Sequence, residues 1–351
     1  MKKIINQNNN IVDDMLSGYV KAHFDRVQFE PTNKRIIIRN IKKDKIKVPL
    51  LIGNGSGHEP IAVGWVGEGL LDANVVGDIF AAPSGDQIFE GIKLFQSHPG
   101  IILLISNHSG DVMNGEMAIE LADDENINVK PLIMYDDIAS APKGKESERR
   151  GGAGTTFIYK ILGAQSEKGD DINSLIRMGE KVRDNTRTLS VAVSSGVSPI
   201  SGDKIFEIAD DEIFIGMGVH GESGYGRQKI DTSNKIVSLM LDKIFDDFTY
   251  NSGDVIIPFV NGAGATTLME LLIIFDDVEK YLSKYNIKIF KPLVSELITT
   301  QESGGFSISL LNSIRTSLTT FIVLTSVTLR PFIKSLWASS SKTISFVFFD
   351  N

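Results

Sequence analysis

Two histidines stand in glycine-rich turns directly after apolar runs, positions from which an imidazole can act as a nucleophile or a base. His58 follows the run LLIGNGSG, and His220 follows EIFIGMGV, with Glu222 two residues further on. A single loop histidine is explained about as well by a hydrogen-bonding role. Two such turns in one chain favour a small-ligand site, whereas His23 and His98 lie in polar segments typical of the surface.

Asp111 places a carboxylate in a comparable position, because NHSGDVMN joins a predicted strand to a predicted helix. An acid there is commonly a helix cap or first-turn residue, but it can also accept a proton from a substrate hydroxyl, and the two roles can coexist. Asp136 and Asp137 also follow a strand, but paired acids in a turn are usually solvated and are minor candidates. The basic segment ERRGGAG (148–154) either holds an anion or pairs with acids.

Three other kinds of site lack their motifs. Gly53, Gly55 and Gly57 suggest a phosphate loop, but they form neither G-x-x-x-x-G-K-[ST] nor G-x-G-x-x-G. With no cysteine and no H-E-x-x-H, the sequence predicts no metal site. The segment GNGSG resembles the nucleophile elbow of a hydrolase, but His58 follows where that motif requires a buried helix.

Alternating apolar runs and helical patterns must position these residues, and the alternation predicts an α/β fold. We expect two α/β domains, 1–186 and 187–351, each with a mostly parallel or mixed sheet flanked by helices. The strands are predicted at 48–53, 100–106, 129–135, 188–194, 212–219, 254–260 and 306–311. The helices are predicted at 59–70, 85–96, 111–123, 152–168, 172–184, 231–247 and 265–284.

Composition restricts the function classes. The chain has 351 residues and a net charge of −8, which disfavours binding to nucleic-acid phosphates. The absence of cysteine and of an apolar segment at the N-terminus favours a cytoplasmic protein. The apolar stretch at 316–329 is fourteen residues long, shorter than the roughly 18 that a membrane-spanning helix needs.

The segment 312–351 differs from the rest of the chain. It is rich in Ser, Thr and aromatic residues, and Asp350 is its only acid. The composition is compatible with a divergent terminal strand and helix or with a translated frameshift. It does not distinguish these alternatives, so we assign no structure to the segment.

Six segments in a fixed order resemble one known family. They are GSGHEP (55–60), SGDVMN (109–114), DDIASAP (136–142), ERRGGAGT (148–155), GVHGESG (218–224) and NGAGATTLMEL (261–271). Together they are similar to the dihydroxyacetone-binding subunit of dihydroxyacetone kinases, the DhaK family. The resemblance runs from about residue 1 to residue 311, and the pairing of GSGHEP with a distant HGE-G segment is its most specific part.

The resemblance implies a role for each histidine and for Asp111. The position of His220 is the one that adds to a ketone carbon and forms a covalent hemiaminal with dihydroxyacetone. His58 and Asp111 would orient and deprotonate the terminal hydroxyl for attack on a phosphoryl group. The substrate-binding positions implied by the resemblance are Gly55, Ser56, Gly57, Ser106 and Glu222.

The resemblance also implies partners. No cofactor is expected on this chain, since ATP or ADP with Mg²⁺ would be held by a separate nucleotide-binding kinase subunit. In bacterial systems a phosphotransferase-system protein rephosphorylates that bound ADP. A homodimer is the implied assembly.

Two departures from the family pattern keep other functions open. Asn54 replaces a glycine, and Ser106 stands where the family usually has a lysine that helps to hold the substrate. The loss of that lysine suggests a preference for a longer ketose such as erythrulose. It is also compatible with a non-catalytic dihydroxyacetone sensor that assists a transcription factor, and the unusual tail suggests a decayed copy.

Overall fold

Two mixed β-sheets flanked by helices form the structure, a computed structural model that describes residues 2–312. The first sheet has the strand order β1-β2-β4-β3-β5-β6. Strands β3 to β6 run parallel, and β1 and β2 add an antiparallel edge. Its strands are β1 (Val27–Phe29), β2 (Ile36–Arg39), β3 (Leu50–Ser56), β4 (Ala73–Ile79), β5 (Ile101–Ser106) and β6 (Val129–Met134).

The second sheet has the order β11-β10-β13-β7-β8-β9, with β12 also paired to β10. Most of its pairs are antiparallel, and only β11 and β12 run parallel to β10. Its strands are β7 (Thr186–Ser194), β8 (Glu212–Ile215), β9 (Gly226–Lys229), β10 (Val255–Gly262), β11 (Lys288–Ile289), β12 (Leu293–Ser295) and β13 (Gly304–Asn312).

Helices cover the sheets because central strands such as β5, with the sequence IILLIS, are apolar on both faces. The α-helices are α1 (Ile11–Ala22), α2 (Gly85–Lys93), α3 (Ser109–Asp124), α4 (Thr155–Lys168), α5 (Ile172–Asp184), α6 (Ser233–Asp247) and α7 (Leu268–Lys284). Short 3₁₀ helices lie at Asn8–Asn10, Val63–Trp65 and Glu146–Glu148. Among the described residues, no helix has the length and apolarity needed to cross a membrane.

These sheets confirm the predicted α/β fold class. The chain passes from the first sheet to the second at Thr186, beside the predicted domain boundary. Residues from both halves nevertheless share one apolar core. Phe157 of α4, for example, packs edge-on against Phe259 of β10 at a centroid distance of 6.3 Å. Separate domains at 1–186 and 187–351 therefore stay a prediction. Of the unusual segment 312–351, only Asn312 is among the residues that the structure describes.

The predicted helix at 59–70 is wrong. This segment forms turns and the single 3₁₀ turn Val63–Trp65. Ile61, Trp65 and Val66 are all buried, so the segment lies in the interior without forming an amphipathic helix. Pro60 near its start further limits helix formation.

The sequence patterns also missed several short elements. The predictions contained neither α1 nor strands β1, β2, β4, β9, β11 and β12. In addition, the strand predicted at 212–219 ends at Ile215, because Gly216 adopts a left-handed φ of 78° and turns the chain.

Candidate active site

A cavity of about 480 Å³ lies where loops from the two sheets meet. The first sheet supplies the turn after β3 and the junction between β5 and α3. The second sheet supplies the turn after β8. Its lining includes six of the eight predicted site residues, namely Gly55, His58, Ser106, Asp111, His220 and Glu222.

His58 is held by the second sheet although it follows a strand of the first. Its Nδ1 lies 2.7 Å from the carbonyl oxygen of Thr299. A carbonyl only accepts hydrogen bonds, so Nδ1 carries the proton and Nε2 carries the lone pair. Burial, followed by the neighbouring His220, lowers the pKa of His58 to about 3, which keeps this ring neutral at physiological pH.

His220 is positioned by Glu222 from the same turn. The backbone N–H of His220 donates to Oε2 at 2.8 Å, and its Nδ1 lies 3.1 Å from Oε1. Burial raises the pKa of Glu222, but the contacts with His108 and His220 outweigh this effect and lower the pKa overall. The Nε2 atom of His220 lies 3.0 Å from Nε2 of His58. The two histidines predicted from the sequence therefore face each other across 162 residues of chain.

Asp111 lies in the first turn of α3. The N-cap position, which was the alternative prediction for Asp111, is occupied by His108. Its Oδ1 is buried and has no hydrogen-bond partner. Burial, only partly offset by His108 and His220, raises the pKa of Asp111 to about 6. A carboxylate with a free acceptor atom and a pKa near neutrality is suited to accept a proton from a hydroxyl group.

His108 is a site residue that the sequence patterns missed. Its Nε2 lies 3.2 Å from the carbonyl oxygen of Gly151, and its Nδ1 lies 3.7 Å from Oε1 of Glu222. Burial lowers the pKa of His108, but Glu222 and Asp111 outweigh it and raise the pKa overall. Its position three residues before Asp111 in the turn was the available signal.

The predicted glycine loop contributes unequally to the cavity. Gly55 lines it, packed so closely on Ala81 that a Cβ atom would come within 2.9 Å of that backbone. The cavity lining does not include Ser56 or Gly57. The Ser56 hydroxyl donates to the Gly77 carbonyl at 2.8 Å. Direct ligand contacts from Ser56 and Gly57 stay a prediction.

The Glu59 carboxylate accepts a hydrogen bond from a backbone N–H group that a phosphate loop would leave free for its anion. The N–H of Gly57 donates to the two Glu59 carboxylate oxygens at 3.0 and 3.1 Å. A phosphate loop presents free N–H groups to its anion. This loop is therefore poorly suited to a nucleotide phosphate.

The two positions at which the sequence departs from the family pattern lie in the cavity wall. Asn54 and Ser106 both line it, and Asn54 Oδ1 is buried without a hydrogen-bond partner. Phe80 packs against His58 with a centroid distance of 5.0 Å and has a left-handed φ of 58°. Such a conformation is uncommon for an aromatic residue, and it was not expected from the sequence.

The acids at 136 and 137 are buried, so the expectation that they are solvated was wrong. Asp137 pairs with Arg150 at 2.8 Å, and Asp136 accepts a hydrogen bond from the N–H of Gly154 at 2.8 Å. Arg149 pairs with Asp247. Of the two alternatives for the basic segment at 148–154, the structure therefore favours pairing with acids.

Comparison with known families gives a match over most of the chain. The profile described as the Dak1 domain matches residues 17–327. The chain belongs to the Dak1 domain family. The family resemblance inferred from the sequence motifs is thereby confirmed.

Curated Dak1 relatives are named as ketose kinases. The chain is 42% identical to the PTS-dependent dihydroxyacetone kinase 1, dihydroxyacetone-binding subunit DhaK, of Listeria innocua, covering 89% of this chain and 94% of the relative. It is 32% identical to the D-erythrulose kinase of Mycolicibacterium smegmatis, covering 89% of this chain but 53% of that relative.

Solved Dak1 structures share the fold. A dihydroxyacetone kinase operon co-activator, Dha-DhaQ, is 31% identical, with a TM-score of 0.80 over 85% of this chain and 91% of that chain. The dihydroxyacetone kinase of C. freundii in complex with AMP-PNP and Mg²⁺ is 27% identical. Its TM-score is 0.83 over 100% of this chain and 66% of that chain.

Proposed function

We propose that this chain is the ketose-binding subunit of a dihydroxyacetone kinase. It binds dihydroxyacetone or a similar short ketose covalently on His220, and a hydroxyl group of that ketose accepts a phosphoryl group from a nucleotide held by a partner subunit. Family membership and the DhaK name of the Listeria relative support this assignment. The observation that carries it is the pair of Nε2 atoms of His58 and His220, 3.0 Å apart in the cavity.

Glu222 prepares His220 as a nucleophile. When Nδ1–H of His220 donates to the Glu222 carboxylate, the lone pair of the ring lies on Nε2, the atom that faces His58 in the cavity. A neutral imidazole with a free lone pair can attack a ketone carbon. Glycerol has no carbonyl group, so this step selects ketoses.

The covalent step conserves atoms and charge. His220 Nε2 forms a bond to the ketone carbon, and the electron pair of the C=O π bond moves to the oxygen. That oxygen takes up a proton, and the Nδ1 proton of His220 leaves by way of Glu222. The product is a neutral hemiaminal, and its formation releases no leaving group.

His58 and Asp111 act on the terminal hydroxyl of the bound ketose. The neutral His58 ring offers an Nε2 lone pair, and Asp111 offers its unpartnered Oδ1. In the phosphoryl transfer Asp111 accepts the hydroxyl proton, the hydroxyl oxygen bonds to phosphorus, and the bond from phosphorus to the nucleoside diphosphate breaks. Proton removal by a positioned carboxylate typically contributes 10²–10⁴-fold.

The nucleotide and Mg²⁺ belong to the partner subunit in this proposal. The loop around Gly57 is poorly suited to phosphates because its N–H donates to Glu59. The C. freundii kinase in complex with AMP-PNP and Mg²⁺ is the longer chain, and this chain covers 66% of it. A homodimer and a cytoplasmic location also stay predictions.

A reconstituted reaction tests the proposal. We expect the purified chain, a cognate nucleotide-binding subunit, ATP, Mg²⁺ and dihydroxyacetone to yield dihydroxyacetone phosphate. Intact-protein mass spectrometry is expected to show a ketose-sized increase that His220→Ala removes. An unchanged adduct in His220→Ala would contradict the covalent role, and an adduct without product would contradict the kinase role.

Two alternatives are tested by the same assay. The co-activator with a TM-score of 0.80 favours a ligand sensor as the second candidate function, and ketose binding without phosphorylation is the result expected for it. The erythrulose kinase relative and the unpartnered Oδ1 of Asn54, which can accept a hydrogen bond from an additional hydroxyl, favour a longer substrate. Parallel assays with dihydroxyacetone and erythrulose compare kcat/KM for the two ketoses.

A further inference from the structure

In its neutral form, His108 presents an electron-rich atom to the carboxylate of Glu222. The Nε2 of His108 lies 3.2 Å from the Gly151 carbonyl, which only accepts, so Nε2 carries the proton. The Nδ1 lone pair of the neutral ring then faces Oε1 of Glu222 at 3.7 Å. A proton on Nδ1, or a metal cation between these atoms, relieves their repulsion.

A second unfavourable contact lies at His58 and His220. His58 donates from Nδ1 to Thr299, and in the nucleophilic form His220 donates from Nδ1 to Glu222. Both Nε2 atoms then carry lone pairs that face each other at 3.0 Å. The arrangement is favourable only when an electrophile or a proton lies between them.

One binding event resolves both contacts. If His220 gives its Nδ1 lone pair to a metal ion, its proton lies on Nε2 and donates to Nε2 of His58. His108 binds the same ion through Nδ1 while its Nε2–H stays on the Gly151 carbonyl. Metal-binding histidines usually donate their other N–H to a carbonyl, a carboxylate or a water in this way.

We propose that His108, His220 and Glu222 form a binding site for Zn²⁺ or a similar divalent transition-metal ion. The three ligand atoms lie within 4.8 Å of one another, and Oε1 of Glu222 lies 3.1 and 3.7 Å from the two Nδ1 atoms. Tetrahedral Zn²⁺ with bonds near 2 Å places its ligand atoms about 3.3 Å apart. This site departs from the sequence analysis, which predicted none.

The surroundings permit a cation. The guanidinium group of Arg150 approaches the Glu222 carboxylate only to 3.9 Å. The charge of Arg150 is already paired with Asp137 at 2.8 Å. The open cavity leaves room for water in the fourth coordination position.

Metal binding and ketose addition require opposite tautomers of His220. The ketose needs the lone pair on Nε2, whereas the metal needs it on Nδ1 and leaves Nε2 protonated. The ion would therefore inhibit adduct formation, and this part of the inference rests on the proposed function. By linkage, the ketose must weaken metal binding by the same factor.

The metal site is tested by titrating the metal-free protein with Zn²⁺ against a chromophoric chelator. We expect one Zn²⁺ per chain, and we expect His108→Phe and Glu222→Gln each to raise its Kd at least about 100-fold, while His23→Phe stays within about twofold. Circular dichroism checks that each variant is folded, and either ligand variant is sufficient for the test. Absence of Zn²⁺ binding, or equal affinity in the folded ligand variants, overturns the proposal.

The competition is tested on the wild-type chain. We expect the dihydroxyacetone adduct seen by mass spectrometry to disappear with saturating Zn²⁺ and to return on chelation. An adduct that persists with Zn²⁺ bound overturns the exclusion. If no adduct forms even without metal, the proposed function fails, while the chelator titration still decides the metal site.

Discussion

Asp111 combines burial, a carboxylate oxygen without a partner and a pKa of about 6. Each property follows from its place in the first turn of α3, where the cavity meets the helix. Structural carboxylates such as Asp171 instead use their oxygens to cap a helix. The contrast supports the proposal that Asp111 acts on substrate.

Replacing Asp111 by Asn separates proton removal from ketose binding. We expect Asp111→Asn to lower kcat by about 10²–10⁴-fold because the amide cannot accept the hydroxyl proton. The adduct on His220 is expected to persist. The reconstituted assay measures kcat, and Asp124→Asn, on the exposed end of the same helix, is the control. Activity within a few-fold of wild type would refute the role of Asp111 as the base.

The pH dependence follows from the same carboxyl group. Its pKa is raised to about 6 by burial, against the opposing charges of His108 and His220. Because the ionised form is the base, kcat/KM is expected to fall below pH 6 by about tenfold per pH unit. His58, with a pKa of about 3, stays neutral over this range. In Asp111→Asn, kcat/KM is expected to lose this fall below pH 6. A fall that persists in the variant would assign the titration to another group.

At the scale of elements, the entry to α4 depends on one buried acid from the end of β6. Asp136 accepts hydrogen bonds from the N–H groups of Gly152 and Gly154 and from the hydroxyl of Thr188 on β7. These contacts fix the segment that carries Gly151, whose carbonyl orients His108. Asp136, which the sequence indicated to be a solvated turn residue, therefore helps to position His108 in the site.

Removing this acid is expected to destabilise the fold. In Asp136→Ala three donors lose their acceptor in the interior, and we expect a loss of about 3 kcal/mol in the free energy of unfolding. Asp171→Ala, which removes an exposed helix cap, is expected to cost about 1 kcal/mol. Urea denaturation measures both variants. Equal losses would show that the buried acceptor has no special contribution.

At the scale of the whole molecule, an ion cluster joins the two halves of the chain. Asp247, at the end of α6, binds Arg149 from the loop before α4 and Arg187 from β7. The side chain of Arg149 is 1% exposed. The shared apolar core also joins the two sheets, so they are held by both packing and charge.

Breaking this cluster tests how strongly the halves are coupled. Asp247→Asn leaves two buried guanidinium groups without a carboxylate, and we expect it to cost about 3–5 kcal/mol of unfolding free energy. The neighbouring exposed Asp246→Asn is expected to stay within about 0.5 kcal/mol. Thermal and urea unfolding measure both. A loss below that of the control variant would mean that packing alone holds the halves together.

Local order in the sequence determined the fold class and the family. Apolar runs separated by helical patterns were sufficient to predict sheets flanked by helices, because the hydrophobic period and the turn residues are local properties of the sequence. The helix predicted at 59–70 failed because a buried loop and a buried helix have similar composition. Short edge strands such as β9 were missed because their stability comes from pairing with a neighbour.

The sequence by itself named His58, Asp111 and His220, since each lies just after a predicted strand or at the start of a predicted helix. Only the tertiary structure decided that two imidazoles meet at 3.0 Å and that His108 shares Glu222 with His220. Tautomers and pKa shifts depend on distance and burial between segments far apart in the chain. Those quantities arise only when the two sheets pack together.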